Sequence, residues 1–297
     1  MTARRAAVLG HPVAHSLSPV LHRAAYAALG LEGWSYDAVD VTSEQLEGFV
    51  DALDAQWAGL SLTMPLKQTI LPMLDHVEPL AELVGAVNTV LVQRGARGSL
   101  VLTGANTDVH GIVAALREGA GERGADDGAL PARPRAVVLG SGATAASTLA
   151  ALGELGCPRA VVYARSLARV GPLMRAAHKM GLEPEFRVFD DRTAAVCAQA
   201  DLVVSTVPAH GADHVAEALA GQAAVGHLLD VIYEPRPTAL MTAWRAAGGV
   251  AVGGERMLLH QAAEQVRLMT GRVAPLAAMD AALSGALDPH HMGETTL

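Results

Sequence analysis

Residues 135–145 read Arg-Ala-Val-Val-Leu-Gly-Ser-Gly-Ala-Thr-Ala. The apolar run that ends at Gly140 predicts a buried strand, and the Ala-rich residues after it predict a helix. Gly140 allows a tight turn, and Gly142 lets the backbone approach a pyrophosphate whose charge is met by the helix N-terminus. An ordinary strand-to-helix turn has the same appearance, so the segment alone leaves both interpretations open. The predicted cofactor-binding turn also includes Ser141, Ala143 and Thr144.

Further apolar runs follow this segment at regular intervals, with helical stretches between them. They predict strands at 160–163, 202–206 and 228–232. Strands that alternate with helices in this way are typical of a doubly wound parallel sheet. We therefore predict an α/β protein with a Rossmann-type domain over residues 108–254.

The first part of the chain, residues 1–107, also alternates short apolar runs with polar helical segments. This pattern predicts a second α/β domain with a mostly parallel sheet. Ser18 and Ser43 are expected to cap two of the helices, with Pro19 at the first position of one of them. Strands are predicted at 6–10, 36–41, 59–63, 88–93 and 100–104, and helices at 18–30, 43–57, 69–74 and 79–84.

A polar stretch between the two domains, a late helix and a polar tail lie outside this alternation of strands and helices. Residues 119–135, rich in Gly, Asp, Arg and Pro, predict a surface loop. Apolar residues at helical spacing predict a helix over 257–270, and residues 288–297 predict a solvated tail. His290 and His291 in that tail are a metal-binding alternative, which a lack of other clustered ligands disfavours.

Composition excludes several classes of protein. The chain has 297 residues, a net charge of -8 and 51% hydrophobic residues, of which few are aromatic. It has no apolar stretch of the ~20 residues that a spanning helix needs, and no basic tract that would bind nucleic acid. Cys157 and Cys197 form no CxxC pair, which indicates a reducing cytoplasm. The apolar run at 6–10 is too short for a signal peptide.

The end of the predicted strand at 160–163 indicates which dinucleotide is bound. An NAD enzyme usually has an acidic residue there for the ribose hydroxyl, whereas this chain has Ala164, Arg165 and Ser166, with Arg169 shortly after. Guanidinium groups bind phosphate oxygens in pairs, so these residues predict NADP. The alternative is a solvated pair of arginines, although cations at a helix start oppose the helix dipole.

Several polar segments of the chain serve no obvious packing role. They are Ser16-Leu-Ser18-Pro19, Ser61-Leu-Thr63-Met-Pro65-Leu-Lys67, Gly85-Ala-Val-Asn88-Thr89 and Gly104-Ala-Asn106-Thr107-Asp108, joined by Gly253-Gly254, Met257 and Gln261. Occurring together and in this order, they resemble the shikimate dehydrogenase family over nearly the whole chain.

The resemblance implies a role for each matching residue. It implies that Lys67 and Asp108 are the catalytic pair. It implies contacts with the substrate carboxylate from Ser16 and Ser18, with ring hydroxyls from Thr63, Asn88 and Gln261, and a further substrate contact from Tyr233. On the cofactor side it implies Thr206, Val231, Gly254 and Met257 near the nicotinamide, with Arg165 and Arg169 at the adenosine phosphate.

The implied catalytic pair is chemically reasonable. Hydride reduction of a ketone leaves negative charge on the carbonyl oxygen, which a cation can stabilise and protonate. Lys67 could do both, and Asp108 could hold the amine and keep it charged. From the residues alone, a solvated lysine and a helix-capping Asp108 remain open alternatives.

The resemblance implies reduction of 3-dehydroshikimate to shikimate with NADP, on the route to chorismate and the aromatic amino acids. It also implies helices over 255–297 that return to the first domain, because Gln261 must reach the substrate, which is expected between the domains. Alternatives are an NAD-dependent quinate/shikimate dehydrogenase and a shikimate-binding homologue without turnover. Departures from the family occur at Ser61, Ala143, Ala164, Glu255 and Arg256. Both a monomer and a homodimer fit the sequence.

Overall fold

The computed structural model describes residues 3–121 and 130–288. They form two compact units, one containing residues up to Thr107 together with those from Leu259 onward, and the other containing Asp108–Leu258. His290, His291 and the rest of the predicted tail after Asp288 lie outside the described residues, as do residues 122–129 of the predicted loop. The loop predicted at 119–135 is wrong at its start, because residues 119–121 are helical.

The first unit begins with six strands and four helices. The strands are β1 (Arg4–Gly10), β2 (Trp34–Asp40), β3 (Trp57–Leu62), β4 (His76–Val77), β5 (Thr89–Arg94) and β6 (Leu100–Ala105), and the helices are α1 (Ser18–Ala28), α2 (Leu46–Asp51), α3 (Leu66–Thr69) and α4 (Pro79–Val84). Short 3-10 helices occupy Leu71–Met73 and Ala96–Gly98.

These strands form one sheet in the order β2-β1-β3-β5-β6-β4. Strand β1 is parallel to β2 and β3, β4 is parallel to β6, and β5 is antiparallel to both of its neighbours. The prediction of a mostly parallel sheet is confirmed. Because β5 runs in the opposite direction, its start lies at the same sheet edge as the ends of β1, β3 and β6.

The second unit is a doubly wound sheet with helices between its strands. It contains α5 (Asp108–Gly121), β7 (Ala136–Leu139), α6 (Ala143–Glu154), β8 (Val161–Ala164), α7 (Gly171–Lys179), β9 (Glu185–Val188), α8 (Thr193–Ala198), β10 (Leu202–Ser205), α9 (Asp213–Ala218), β11 (His227–Asp230), α10 (Ala239–Ala246) and β12 (Val250–Gly253). A 3-10 helix spans Leu167–Arg169.

The strand order of this second sheet is β12-β11-β10-β7-β8-β9, and all of its described pairings are parallel. From β7 the chain first adds β8 and β9 on one side and then β10, β11 and β12 on the other side. This strand order is that of the Rossmann fold. The predicted fold class is therefore confirmed. The carboxyl end of β7, where Gly140 follows, is the place where such folds bind their ligands.

Two helices complete the chain. Helix α11 (Gly254–Thr270) begins in the second unit and continues into the first, because the division between the units falls after Leu258. Helix α12 (Leu276–Ala286) packs against α1 in the first unit. The continuous α11 places Gln261 and Gln265 in the first unit, one helical turn apart.

Some predicted helix limits are wrong. The helix predicted over 43–57 is limited to Leu46–Asp51, because Trp57 begins the buried strand β3. Neither Ser18 nor Ser43 caps a helix: Leu17 and Gln45 hold the cap positions, and neither helix has a side-chain cap. The helix predicted over 69–74 begins earlier, at Leu66, and Pro72 confines the remainder to a 3-10 turn.

Candidate active site

Three polar segments of the first unit are joined by backbone hydrogen bonds at the sheet edge where β1, β3 and β6 end. The Thr63 amide donates to the Leu9 carbonyl oxygen at 2.9 Å, and the Val87 amide donates to the Lys67 carbonyl oxygen at 2.8 Å. The Leu62 amide donates to the Asn88 carbonyl oxygen at 2.8 Å. The segments that carry Thr63, Lys67 and Asn88 are therefore held together by main-chain geometry.

Asn88 lies at the centre of a buried cluster with Thr107 and Gln261. The Thr107 amide donates to Asn88 Oδ1 at 2.7 Å, and a backbone amide can only donate, so the orientation of the Asn88 side chain is fixed. Asn88 Nδ2 then donates to Thr107 Oγ1 at 3.0 Å and to Gln261 Oε1 at 3.2 Å. Since its carbonyl oxygen accepts from Asn88, the orientation of the Gln261 amide is also fixed.

Gln265, one turn after Gln261, occupies all four hydrogen-bonding positions of its amide. Nε2 donates to the Asn88 carbonyl oxygen at 3.3 Å and to Thr89 Oγ1 at 3.0 Å. Oε1 accepts from Ser61 Oγ at 2.8 Å and from His22 Nε2 at 3.1 Å. Its side chain is buried, so this saturation offsets the cost of removing the amide from water.

A second branch of the cluster extends towards the loop before α1. The Tyr36 hydroxyl donates to Ser61 Oγ at 2.6 Å. Burial raises the pKa of Tyr36 above its usual value, an effect partly opposed by the hydroxyls of Ser61 and Ser18. Ser18 is buried, and its amide donates to Ser16 Oγ at 3.3 Å. The two serines predicted to bind a carboxylate thus lie beside the buried cluster.

His22 is a fully buried histidine of α1 within this cluster. Its ring stacks on Tyr36 with centroids 3.9 Å apart, and its Nδ1 lies 3.5 Å from the Tyr26 hydroxyl. Burial lowers the pKa of His22 to about 3, and the hydrogen bond to Gln265 opposes the effect in part. Because Gln265 Oε1 can only accept, the neutral ring carries its hydrogen on Nε2.

The two residues predicted to be catalytic lie on short structural elements. Lys67 is half-buried on α3, as is Thr63 just before that helix. Asp108 is the first residue of α5, is 3% exposed and directly follows Thr107. Asp108 belongs to the second unit and Lys67 to the first. Their roles stay predictions.

The predicted cofactor turn follows β7 in the second unit. Gly140 has a φ of 118°, which side-chain-bearing residues rarely adopt, and a Cβ there would overlap Thr206 Oγ1. The Thr206 amide donates to the Leu139 carbonyl oxygen at 2.7 Å, which holds the loop after β10 beside the turn. Gly142 caps α6, and a Cβ added to it would meet no atom within 4 Å. The space beside Gly142 is therefore open, and Ser141, Ala143 and Thr144 adjoin Gly142 along the chain.

The predicted phosphate-binding residues follow β8. Ala164 is buried at the strand end, Ser166 is half-buried, and the side chains of Arg165 and Arg169 are exposed. Within residues 3–121 and 130–288, neither arginine forms an ion pair. The two guanidinium groups are therefore available to an anionic ligand, as the prediction of NADP requires.

The remaining predicted residues of the second unit lie near the end of β11 and the start of α11. Val231 and Tyr233 are half-buried after β11, and burial raises the pKa of Tyr233. A Cβ at Gly254 would overlap the carbonyl group of Val231, so only glycine fits this approach. Met257, one turn into α11, is buried.

The two charged residues that depart from the family pattern are accommodated locally. Arg256 pairs with Glu118 of α5, with Nη2 and Oε1 2.6 Å apart, and Glu255 lies 3.9 Å from Arg236. They occupy the first turn of α11 without displacing Gly254. The family departure at Ser61 is the position where Gln265 binds.

The described part of the chain contains no group of three or more His, Cys, Asp or Glu side chains that could hold a metal ion. Over the same residues, no helix is both long enough and apolar enough to cross a membrane. Cys157 and Cys197 are both free thiols in buried positions.

The buried cluster contains residues that sequence reasoning did not place in the site. Gln265 could have been found from its spacing, since residues i and i+4 share one face of a helix with Gln261. Thr89 and Thr107 directly adjoin predicted residues. His22 and Tyr36 carry no local signal, because only tertiary packing brings them to Gln265.

Two family models match this chain. The model described as the shikimate dehydrogenase substrate binding domain matches residues 8–90, and the one described as the shikimate 5'-dehydrogenase C-terminal domain matches residues 254–283. The second match begins at Gly254 and includes Gln261.

Relatives resemble the chain over nearly its full length. The shikimate dehydrogenase (NADP(+)) of Thermosynechococcus vestitus is 37% identical in an alignment of 287 residues that covers 94% of this chain and 94% of that one. The crystal structure of Mycobacterium tuberculosis shikimate dehydrogenase has 38% identity and a TM-score of 0.82, covering 95% of this chain and 99% of that one.

A third relative is a crystal structure with both small molecules present. The shikimate 5-dehydrogenase of Thermus thermophilus, in complex with NADP(H) and shikimate, is 33% identical with a TM-score of 0.77, covering 95% of this chain and 99% of that one. Matches of this extent confirm the resemblance first indicated by the ordered polar segments: this chain belongs to the shikimate dehydrogenase family.

Proposed function

We propose that this protein is an NADP-dependent oxidoreductase that interconverts 3-dehydroshikimate and shikimate. The observation that carries the proposal is the fixed polar cluster of Asn88, Thr107 and Gln261, bonded through the main chain to the segment of Lys67. The relatives with the same fold are named for this activity, and one was solved with both shikimate and NADP(H).

Residues of the first unit supply the groups that would bind the substrate. Asn88 and Gln261 hold each other in one orientation, so the Nε2 hydrogens of Gln261 would donate to a ring hydroxyl of shikimate. Thr63 would bind a further hydroxyl, and the hydroxyls of Ser16 and Ser18 would bind the carboxylate. Preset donors of this kind cost little reorganisation when the ligand binds. We assign Tyr233 of the second unit a further substrate contact.

Lys67 would act on the carbonyl oxygen. When 3-dehydroshikimate is reduced, a hydride is added to the carbonyl carbon and a proton to its oxygen, which together give the secondary alcohol. A lysine ammonium stabilises the negative charge that develops on this oxygen and then supplies the proton. Asp108 would serve as the charge partner that orients this amine.

Residues of the second unit fit NADP. The open space at Gly142 and the N-terminus of the 12-residue helix α6 suit a pyrophosphate, and the exposed Arg165 and Arg169 suit the 2′-phosphate. NADPH, when bound, supplies the hydride. We assign its contacts to Gly140, Ser141, Gly142, Ala143, Thr144, Ala164, Arg165, Ser166, Arg169, Thr206, Val231, Gly254 and Met257.

We also infer a cytoplasmic location, because both cysteines are free thiols, as a reducing compartment favours.

Absorbance at the reduced-nicotinamide band tests the function. Shikimate with NADP should give a steady increase, and shikimate with NAD a much slower one. No change with either cofactor would contradict the proposal and favour a binding protein without turnover. Equal or faster rates with NAD would contradict the assignment of Arg165 and Arg169, and faster turnover of quinate would favour the quinate/shikimate alternative.

A further inference from the structure

Gln265 is bonded to residues on three other elements of the first unit, yet it is one helical turn away from Gln261. We propose that Gln265 is a positioning residue for substrate binding, which presets Asn88, and through it Gln261, in the orientation that receives the substrate. The inference rests on the proposed function, because it names a residue that acts through the same binding groups.

Gln265 holds Asn88 in two ways, by one direct hydrogen bond and by one that passes through Thr89. Its Nε2 donates directly to the Asn88 carbonyl oxygen, which can only accept, so the direction of the Gln265 amide is fixed. The same nitrogen donates to Thr89 Oγ1, which in turn donates to Asn88 Oδ1 at 3.0 Å. Backbone and side chain of Asn88 are thus both held from α11.

The oxygen of the Gln265 amide is linked, through Ser61 and Tyr36, to the segment that carries Ser16 and Ser18. Gln265 Oε1 accepts from Ser61 Oγ, which accepts from the Tyr36 hydroxyl, beside Ser18. One amide therefore connects the groups assigned to the substrate ring with the loop assigned to its carboxylate. A residue with this position should affect the affinity for shikimate without affecting the affinity for NADP.

Loss of the amide would remove one hydrogen bond from each of several buried groups. Gln265→Leu has a similar volume but no polar atoms, so Ser61, Thr89 and the Asn88 carbonyl would each lose a hydrogen bond in a buried site. Asn88 would keep the bond from the Thr107 amide but lose the direct bond from α11 and the restraint on Thr89, so its side chain would be held less firmly. We expect the KM for shikimate to rise about tenfold or more, with the KM for NADP unchanged, since a lost hydrogen bond that aligns a ligand costs about that factor.

The matched control is Met269→Ala, one turn further along α11. Met269 is 8% exposed, and its side chain lies against Gly59 of β3. This substitution loosens the packing of the helix on the sheet but leaves every hydrogen bond of Gln265 in place. It should lower the melting temperature and leave the KM for shikimate unchanged.

A rescue variant tests whether the amide itself is what matters. Ser61 lies directly opposite Thr89 in the pairing of β3 with β5, so an asparagine at position 61 could donate to Thr89 from the strand. The double variant Ser61→Asn, Gln265→Ala should therefore have a lower KM for shikimate than Gln265→Ala alone.

A second variant keeps the test valid if Gln265→Leu does not fold. Gln265→Glu preserves the shape of the side chain, and burial would raise the pKa of the new carboxyl group. Its neutral form can still donate one hydrogen bond, whereas its carboxylate cannot donate any. The ratio of its KM for shikimate to that of the wild type should rise with pH.

The outcomes are distinct. An inactive wild type overturns the proposed function, and this inference with it. If the wild type is active, two results would overturn the inference and leave the proposed function standing. One is an unchanged KM for shikimate in Gln265→Leu, and the other is an equal rise of that KM in Met269→Ala. A Gln265→Glu ratio independent of pH, or a double variant no better than Gln265→Ala, would also overturn it. A selective rise in the KM for shikimate with rescue by Ser61→Asn supports it.

Discussion

Lys67 and Gln68 are neighbours on α3 but have different surroundings: Lys67 is half-buried and Gln68 is exposed. If Lys67 supplies the proton, Lys67→Ala should lower kcat by about 10²- to 10⁴-fold, the usual range for a lost general acid. Equilibrium binding of shikimate should change much less. Steady-state kinetics and calorimetry measure the two quantities, with Gln68→Ala as the control. Turnover that survives in Lys67→Ala would make Lys67 a binding residue only.

We predict that the arginines after β8 determine the choice of cofactor. Removing both, as Arg165→Ala with Arg169→Ala, should raise the KM for NADP by about tenfold to a hundredfold, the value of one or two charged hydrogen bonds. The KM for NAD should remain the same, because NAD has no 2′-phosphate. Arg192→Ala, an exposed arginine after β9, is the control. An equal loss of NADP and NAD binding would show that the arginines do not read the phosphate.

Individual site residues could be predicted from the sequence where they adjoin a glycine, a proline or the end of a strand. Lys67, Asn88 and Gly140 carry such local signals. Tyr36 and His22 do not, because their participation depends on contacts across large sequence separations, such as the one between His22 and Gln265. Local sequence patterns do not predict which buried polar residues, far apart along the chain, will share a hydrogen-bond network.

The first unit should become less stable as the pH falls, because α1 carries His22 in a neutral, buried form. The pKa of His22 is about 3 in the folded protein and about 6.5 when unfolded. The unfolded chain therefore binds more protons below pH 6.5, so the stabilising contribution of neutral His22 is complete above that pH and lost towards pH 3. Between pH 7 and pH 5 the free energy of unfolding should fall by about 2 kcal/mol on account of this residue.

Urea denaturation at the two pH values measures this change. His22→Gln cannot titrate in this range, so its free energy of unfolding should fall less than that of the wild type over the same interval. Its stability at pH 7 is expected to be lower, since the ring stack on Tyr36 is lost. Equal pH dependence in the two proteins would contradict a neutral, buried His22.

Elements with a continuous apolar run were predicted at nearly their observed positions, as β5 and β7 illustrate. Strand β9 was missed because Glu185 and Arg187 interrupt its apolar pattern at the sheet edge, where they pair with each other. Strand β12 was missed because it directly follows Gly248 and Gly249, which resemble a turn. Edge strands need fewer apolar residues than central ones, so hydrophobic periodicity detects them poorly.

In the whole molecule, the residues assigned to the substrate and those assigned to the cofactor belong mostly to different units. The groups assigned to the substrate lie mostly in the first unit, and those assigned to the cofactor in the second. Helix α11 contributes to both, since Gly254 and Met257 precede the division and Gln261 and Gln265 follow it. The sequence predicted this distribution through the order of its motifs, but the return of a C-terminal helix to the first unit was expected only from the resemblance.

Because the two sets of residues lie in separate units, each ligand should stabilise its own unit first. A ligand at a hundredfold excess over its Kd stabilises the state that binds it by about 2.7 kcal/mol. Hydrogen exchange followed by mass spectrometry should show that shikimate alone slows exchange at the amides of Thr63, Val87 and Thr107. NADP alone should slow exchange at the start of α6, where Ala145 and Ala146 follow the glycine turn. Slower exchange at α6 with shikimate alone, or no change there with NADP, would contradict this assignment of ligands to units.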